Sequence, residues 1–99
     1  DSDQYLTASA AEKKNMLTSM TKRVDNAVYD VIANAVAGRT VNDILDAKAG
    51  IYGRRYDLAA GGVGVSYSGG YINKYKAQID AAAKAIISGK IKVPSVPSK

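Results

Sequence analysis

Residues 17–38, LTSMTKRVDNAVYDVIANAVAG, contain the pattern that decides the fold class. From Val24 onward, apolar residues recur at spacings of three and four, as they do in a helix with one apolar face. Gly38 follows the last of them, at a position where a left-handed glycine commonly ends a helix. The pattern predicts a helix from about Lys22 to Ala37. We expect this helix to pack through Val24, Val28, Val31, Ile32 and Ala35.

The residues just before this helix predict a buried strand. Met16–Met20 is short and apolar apart from two hydroxyl side chains. Lys22 stands at the junction of strand and helix, where the helix macrodipole disfavours a cation. On composition alone, a surface ion pair is the simplest explanation of this lysine, and a role in binding is the alternative.

The second half of the chain again alternates strand patterns with a helical pattern. Ile51–Leu58 and Val63–Tyr67 predict two more strands, joined by a turn at Gly61-Gly62. From Ile72 the helical period returns and continues to Gly89, which again marks a helix end. Strands that alternate with amphipathic helices indicate an α/β fold. We therefore expect short parallel strands that are covered by the two helices.

Composition limits the chemistry that this chain can perform. Its 99 residues make one domain at most. It has no cysteine, which excludes disulfides, thiol catalysis and cysteine-bound metals, and no histidine, the commonest general base and metal ligand. There is no apolar run of 18 residues that would span a membrane. The chain begins at Asp1 without an initiator methionine, so we expect a fragment or a processed product.

Two groups of residues admit a functional and a simpler interpretation. Arg54 and Arg55 lie between Tyr52 and Tyr56, which is typical of a nucleic-acid surface, and the net charge of +5 permits contact with polyanions. The simpler interpretation is a solvated strand edge with tyrosines at its rim. A basic module that binds nucleic acid or another polyanion through this group remains the alternative function.

Glycines and carboxylates give weaker signals. Gly62-Val63-Gly64 matches half of a dinucleotide-binding fingerprint, but Tyr67 occupies the third glycine position and no helix is predicted to open there. A turn between strands is the favoured interpretation.

Asp1 and Asp3 would lie at the C-terminal end of any strand that preceded them, where open α/β sheets bind ligands. Without a metal cluster or a base nearby, helix-cap or turn residues are the simpler interpretation.

Four segments in register resemble one bacterial family. They are D-S-D-Q at residues 1–4, L-T-S-M-T-K-R-V-D-N-A-V at 17–28, G-G-V-G-V-S at 61–66 and A-I-I-S-G-K-I-K-V-P at 85–94. Their order and spacing resemble the C-terminal part of the basic membrane lipoprotein family. These proteins are substrate-binding components of ABC transporters, and the best understood branch binds purine nucleosides. The resemblance covers residues 1–94, leaves 95–99 as a tail, and is weakest over Ala37–Asp57.

The resemblance implies a fold, a ligand and two ligand-binding residues. The family fold is the two-lobed type I periplasmic-binding-protein architecture, of which this chain would be the C-terminal segment. A nucleoside or similar small polar solute would bind in the cleft between the lobes. Asp1 matches the acidic residue that bonds the ribose hydroxyls, and Lys22 matches the ligand-facing lysine of the T-S-x-x-K element. Such binding needs fixed polar groups but no nucleophile or general base. We therefore expect this protein to have no enzymatic activity and to bind no cofactor or metal.

The resemblance also implies partners and a location. The transporter permease would be one partner, and no nucleic acid is expected. The rest of the parent chain, or a second copy of this one, would cover the open strand edges and apolar surface. The location would be the extracytoplasmic face of the cell membrane, through a lipid-anchored N-terminus, or the periplasm.

Overall fold

The computed structural model describes residues 2–46 and 53–97, which form both helices and strands. The helices in chain order are α1 (Gln4–Thr7), α2 (Ala10–Lys13), α3 (Val24–Val36), α4 (Val41–Ile44) and α5 (Lys76–Ile87). The strands are β1 (Met20–Lys22) and β2 (Val63–Val65), and a 3₁₀ turn at Asn73–Tyr75 leads into α5. The described part of the chain is therefore a mixed α and β structure, as expected.

The two strands pair antiparallel, so the prediction of short parallel strands is wrong for the residues described. At one end of the pairing the Arg23 amide donates to the Gly62 carbonyl at 2.9 Å, and at the other the Ser66 amide donates to the Ser19 carbonyl at 2.9 Å. A parallel pair needs a crossover connection, usually a single helix. The connection between β1 and β2 is long enough for such a crossover, so its length does not decide the direction of β2; the hydrogen bonds at the two ends of the pairing show that β2 runs opposite to β1.

The predicted strands are longer than the observed ones. The strand expected over Met16–Met20 begins only at Met20, and the one expected over Val63–Tyr67 ends at Val65. Of the strand expected over Ile51–Leu58, residues 51 and 52 lie outside the described residues, and residues 53–58 contain no strand. In that segment the Arg55 amide donates to the Asp46 carboxylate at 2.6 Å, so a side chain takes the place of a strand partner.

Both long helices are confirmed; α3 lies close to its predicted bounds, whereas α5 begins at Lys76 rather than at Ile72. The Ala37 amide closes α3 by donating to the Ala33 carbonyl, and Gly38 follows with φ +77°. Gly89, with φ +78°, follows α5 in the same way. A left-handed glycine satisfies the end of a helix without the steric cost that a β-carbon would add. The glycine positions in the sequence therefore indicated both helix ends correctly.

The apolar stripe of α3 is exposed, which contradicts the prediction that this helix packs through it. Val28 is 52% exposed, Val31 46% and Ile32 57%, and the one buried residue of α3 is Asn34. Val24 and Ala35 are exposed as well. The 3.6-residue period specifies which face is apolar, but burial needs a second surface to pack on it. The described part of the chain does not supply that surface.

The area that the chain exposes agrees with this lack of burial. A folded monomer of 10.4 kDa is expected to expose about 5,400 Å². The chain exposes 7816 Å². In the described residues, Ile44 is the only buried hydrophobic side chain. The chain thus buries less surface than a compact monomer of its size, and many of its large aliphatic side chains are exposed to water.

Residue contacts divide the chain into two compact units. The first comprises residues 22–64, with α3 and α4. The second comprises residues 2–21 and 65–97, with α1, α2 and α5. None of the helices in these described residues has the length and apolar character of a membrane span.

Candidate functional site

Lys22 borders a cavity in the first unit. It is the last residue of β1, and Arg23 separates it from the first turn of α3. The cavity has a volume of about 240 Å³. Its lining residues are Lys22, Arg23, Val24, Ala27, Tyr56, Gly62 and Val63. Two residues that carry a cationic side chain thus border this cavity together with aliphatic and aromatic residues, and its surface is almost wholly apolar.

A glycine turn places Gly62, which lines this cavity, close to Tyr56. The Gly62 amide donates to the Asp57 carbonyl at 2.8 Å, and Gly61 has φ +66°. A β-carbon on Gly62 would overlap the carbonyl oxygen and β-carbon of Tyr56. The structure thus confirms a glycine turn here. Gly64 lies within β2, and no helix begins in the described residues 66–72, so this segment lacks the strand–turn–helix geometry of a dinucleotide-binding fingerprint.

One side-chain hydrogen bond holds the first turn of α3 beside this glycine turn, and a local ion pair orients Arg23. The Asn26 amide nitrogen donates to the Gly61 carbonyl at 2.8 Å. The Arg23 guanidinium lies 2.7 Å from the Asp25 carboxylate. Its hydrogen bonds lower the pKa of Asp25 to about 2, and the carboxylate in turn raises the pKa of Arg23. Both charges of this pair are largely exposed, so its main effect is to orient Arg23 at the rim of the cavity.

The structure places one of the two predicted ligand-binding residues. Lys22 lines the cavity, whereas Asp1 lies outside the described residues. Asp3, two residues after Asp1 in the sequence, belongs to the second unit. It caps α1 by accepting a hydrogen bond from the Tyr5 amide at 3.2 Å. Asp3 also accepts from the Ser68 hydroxyl at 2.5 Å, and this bond is the main cause of its lowered pKa. The helix-cap interpretation of Asp3 is confirmed.

A polar cluster centred on Asp30 was not predicted from the sequence. The Asp30 carboxylate lies 2.7 Å from Arg54 Nε and accepts from the Tyr56 hydroxyl at 2.9 Å. It also accepts from Asn34 at 3.1 Å, one helical turn further along α3. The i, i+4 spacing of Asp30 and Asn34 was the one local signal of this contact. Nothing local indicated that Arg54 and Tyr56 would reach the same carboxylate.

This cluster changes the interpretation of the basic and aromatic residues at 52–56. Arg54 donates to the Ile44 carbonyl at 3.1 Å in addition to its ion pair with Asp30. Its side chain is 33% exposed. Tyr52 lies outside the described residues, and the Tyr56 hydroxyl is bonded to Asp30. Arg54 and Tyr56 are thus engaged within the first unit, whereas the Arg55 side chain is exposed.

The Tyr56 hydroxyl predicts a dependence of stability on alkaline pH. Desolvation, then the hydrogen bond and charge of Asp30, raise the pKa of Tyr56 above its usual value. Because the folded state favours the protonated phenol, this stabilisation is complete below about pH 10 and is lost as the pH rises through the raised pKa. We expect Tyr56→Phe to lower the free energy of unfolding at pH 8 by about 1 kcal/mol. Urea denaturation at pH 8 and at pH 11 measures both effects.

Tyr29→Phe is the matched control for this experiment. Tyr29 also lies in the first unit, on α3, but its side chain is 76% exposed. We expect this substitution to leave the free energy of unfolding unchanged at both pH values. Equal losses in the two variants at pH 8 would contradict the assignment of the Tyr56–Asp30 bond.

No group of three metal-binding side chains occurs in the described residues. No protein-family description, no curated protein and no solved structure matches this chain. The resemblance stated above therefore depends on its four sequence segments alone.

Proposed function

We propose that this chain is the C-terminal segment of a bacterial ABC-transporter substrate-binding protein that binds a nucleoside or similar small polar solute. One observation carries the proposal. Lys22, the lysine that the family resemblance assigns to the ligand, borders a cavity of about 240 Å³ whose lining also includes Tyr56 and Gly62. That volume is of the order expected for part of a small solute, and a second lobe would have to supply the remainder of a closed pocket.

The side chains around this cavity suit a nucleoside. The ring of Tyr56 and the aliphatic groups of Val24 and Val63 offer an apolar wall for the face of a base. The Lys22 ammonium can donate to an acceptor on the ligand. Asp1, in the D-S-D-Q segment, would accept hydrogen bonds from two ribose hydroxyls. Each of these groups acts by binding, and none is needed as a nucleophile or general base.

The proposal includes the parent architecture, its partners and its location. The parent would have the two-lobed type I periplasmic-binding-protein fold and would deliver solute to a transporter permease. It would be lipid-anchored at the extracytoplasmic face of the cell membrane or reside in the periplasm. The exposed stripe of α3 supports the proposal that another segment packs on this helix. Val28, Val31 and Ile32 are 46–57% exposed, which leaves an apolar face for that segment to cover. The rest of the parent chain or a second copy of this chain would cover it.

Substitution of the two assigned residues tests the binding site. In the full-length parent, Asp1→Ala and Lys22→Ala are each expected to weaken nucleoside binding by about 2 kcal/mol or more, because each leaves a buried polar group of the ligand without its partner. Isothermal titration calorimetry measures the loss. Lys14→Ala, an exposed lysine outside the cavity, is the control and should bind as the unsubstituted protein does. Unchanged affinity in both site variants would exclude these residues from the site.

Binding of polyanions by Arg54 and Arg55 is the alternative, and it has weaker support because Arg54 is held by Asp30. Salt dependence separates the two functions. Affinity for an oligonucleotide should fall steeply between 50 and 200 mM salt, whereas affinity for a neutral nucleoside should not. Arg55→Ala would weaken the binding of the oligonucleotide and would leave the binding of the nucleoside unchanged.

A further inference from the structure

The positive charge of this chain is concentrated in the second unit. In the described residues of the first unit, five cationic side chains are balanced by five carboxylates. The second unit has seven lysines and only three acidic residues in its described part. Three of those lysines, Lys84, Lys90 and Lys92, fall within residues 84–97, a stretch without any acidic residue. We call this stretch the basic end.

Aliphatic side chains alternate with the lysines of the basic end, and they are exposed. Ile87 is 53% exposed, Ile91 47%, Val93 67% and Val96 73%. The three lysines are exposed too, and no described carboxylate forms an ion pair with them. An exposed stretch that combines cations with large aliphatic groups is unusual for a surface that meets only water.

The end of α5 brings these residues together. The chain leaves the helix at Gly89, and the Ile91 amide donates to the Ala85 carbonyl at 3.1 Å, which holds the following residues against the last turn. Lys84 and Lys90 consequently border the same open cleft of about 360 Å³, together with Ala81, Ala85 and Ser88. Lys84 and Lys90 thus share one cleft of the second unit, and the exposed residues Ile91, Lys92 and Val93 follow Lys90 directly along the chain.

We propose that the basic end docks this protein on the surface of an anionic lipid bilayer. Ammonium groups on flexible stems can reach lipid phosphates while neighbouring aliphatic groups enter the boundary of the acyl region. Clusters of basic residues are attracted by the negative potential of anionic lipids. A nucleic acid fits less well, because residues 84–97 contain neither arginine nor an aromatic side chain on which a base could stack. This docking goes beyond solute binding and does not depend on it.

Vesicle flotation tests the proposal on the chain itself. The probes are vesicles of phosphatidylcholine alone and vesicles with 30% phosphatidylglycerol, each at 50 and 500 mM NaCl. We expect binding only to the anionic vesicles. Lys84→Glu/Lys90→Glu/Lys92→Glu should reduce that binding at least tenfold. The control Lys13→Glu/Lys14→Glu/Lys74→Glu makes the same change in net charge elsewhere in the second unit and should reduce it less than threefold.

A second variant separates a lipid surface from other polyanions. Ile91→Ser/Val93→Ser keeps every charge and alters only exposed side chains, so the fold should persist by circular dichroism. We expect it to reduce vesicle binding several-fold and to leave any binding of a single-stranded 12-mer oligonucleotide unchanged. Equal losses in the two lysine triples, equal binding to both kinds of vesicle, or vesicle binding that is indifferent to the serine variant would each overturn the proposal. Tighter binding to the oligonucleotide than to anionic vesicles would identify a nucleic-acid surface in its place.

Discussion

Replacing Val28 and Ile32 together by aspartate is expected to convert this chain from a self-associated species into a monomer of 10.4 kDa. The two side chains line an apolar groove of about 290 Å³ on α3, together with Ala27 and Val31. In the separate chain they are more than half exposed, so aspartate at these positions costs the monomer little. In an assembled face the same carboxylates would be buried without partners, which costs several kcal/mol. Light scattering at low micromolar concentration measures the result.

A matched pair on the other side of α3 is the control for this experiment. Tyr29 and Ala33 are exposed and lie off the apolar stripe, so Tyr29→Asp/Ala33→Asp adds the same charge without touching the groove. We expect this variant to associate as the unsubstituted chain does. If the unsubstituted chain is itself a monodisperse monomer, the α3 face needs no partner and the expectation is wrong. Val31 is 46% exposed as well, so Val31→Asp is not expected to cost the separate chain the several kcal/mol that burial of this position would imply.

Gly62→Ala is expected to cost the first unit about 3 kcal/mol or more of folding free energy. The added methyl group would overlap backbone and β-carbon atoms of Tyr56, which cannot move aside as the end of a flexible side chain can. Relief of the overlap would separate Tyr56 from the glycine turn and open the Lys22 cavity. Urea denaturation measures the loss of stability, and solute titration of the parent protein measures the loss of the site.

Gly38→Ala provides the comparison for this substitution. Gly38 has φ +77° but no atom within 4 Å of the position that a β-carbon would occupy. Its replacement should cost only the strain of a left-handed alanine, about 1 kcal/mol. A similar loss of stability in the two variants would mean that the contact between Gly62 and Tyr56 does not constrain the turn.

The parts of the fold that were predicted correctly depend on local sequence. Helices α3 and α5 follow from the spacing of apolar residues over three turns or more, and glycine marks both helix ends. The turn at Gly61-Gly62 and the capping position of Asp3 also depend on the conformational preferences of a few adjacent residues. For the candidate site, this local information placed Lys22 at the junction of strand and helix, and only the family resemblance assigned it to the ligand. The local information could not indicate that Tyr56 and Gly62 would border the same cavity.

The amino-acid sequence by itself determined where the two long helices α3 and α5 form and which face of each is apolar, because these properties repeat within a few residues. Only the tertiary structure decided the direction of β2 relative to β1 and the shared contact of Arg54 and Tyr56 with Asp30. It also decided that Val28 and Ile32 remain in water. Each of these features depends on residues distant in sequence or on a surface to pack against. A local pattern carries no information about distant contacts or packing surfaces, since it specifies only the conformation and polarity of a few adjacent residues.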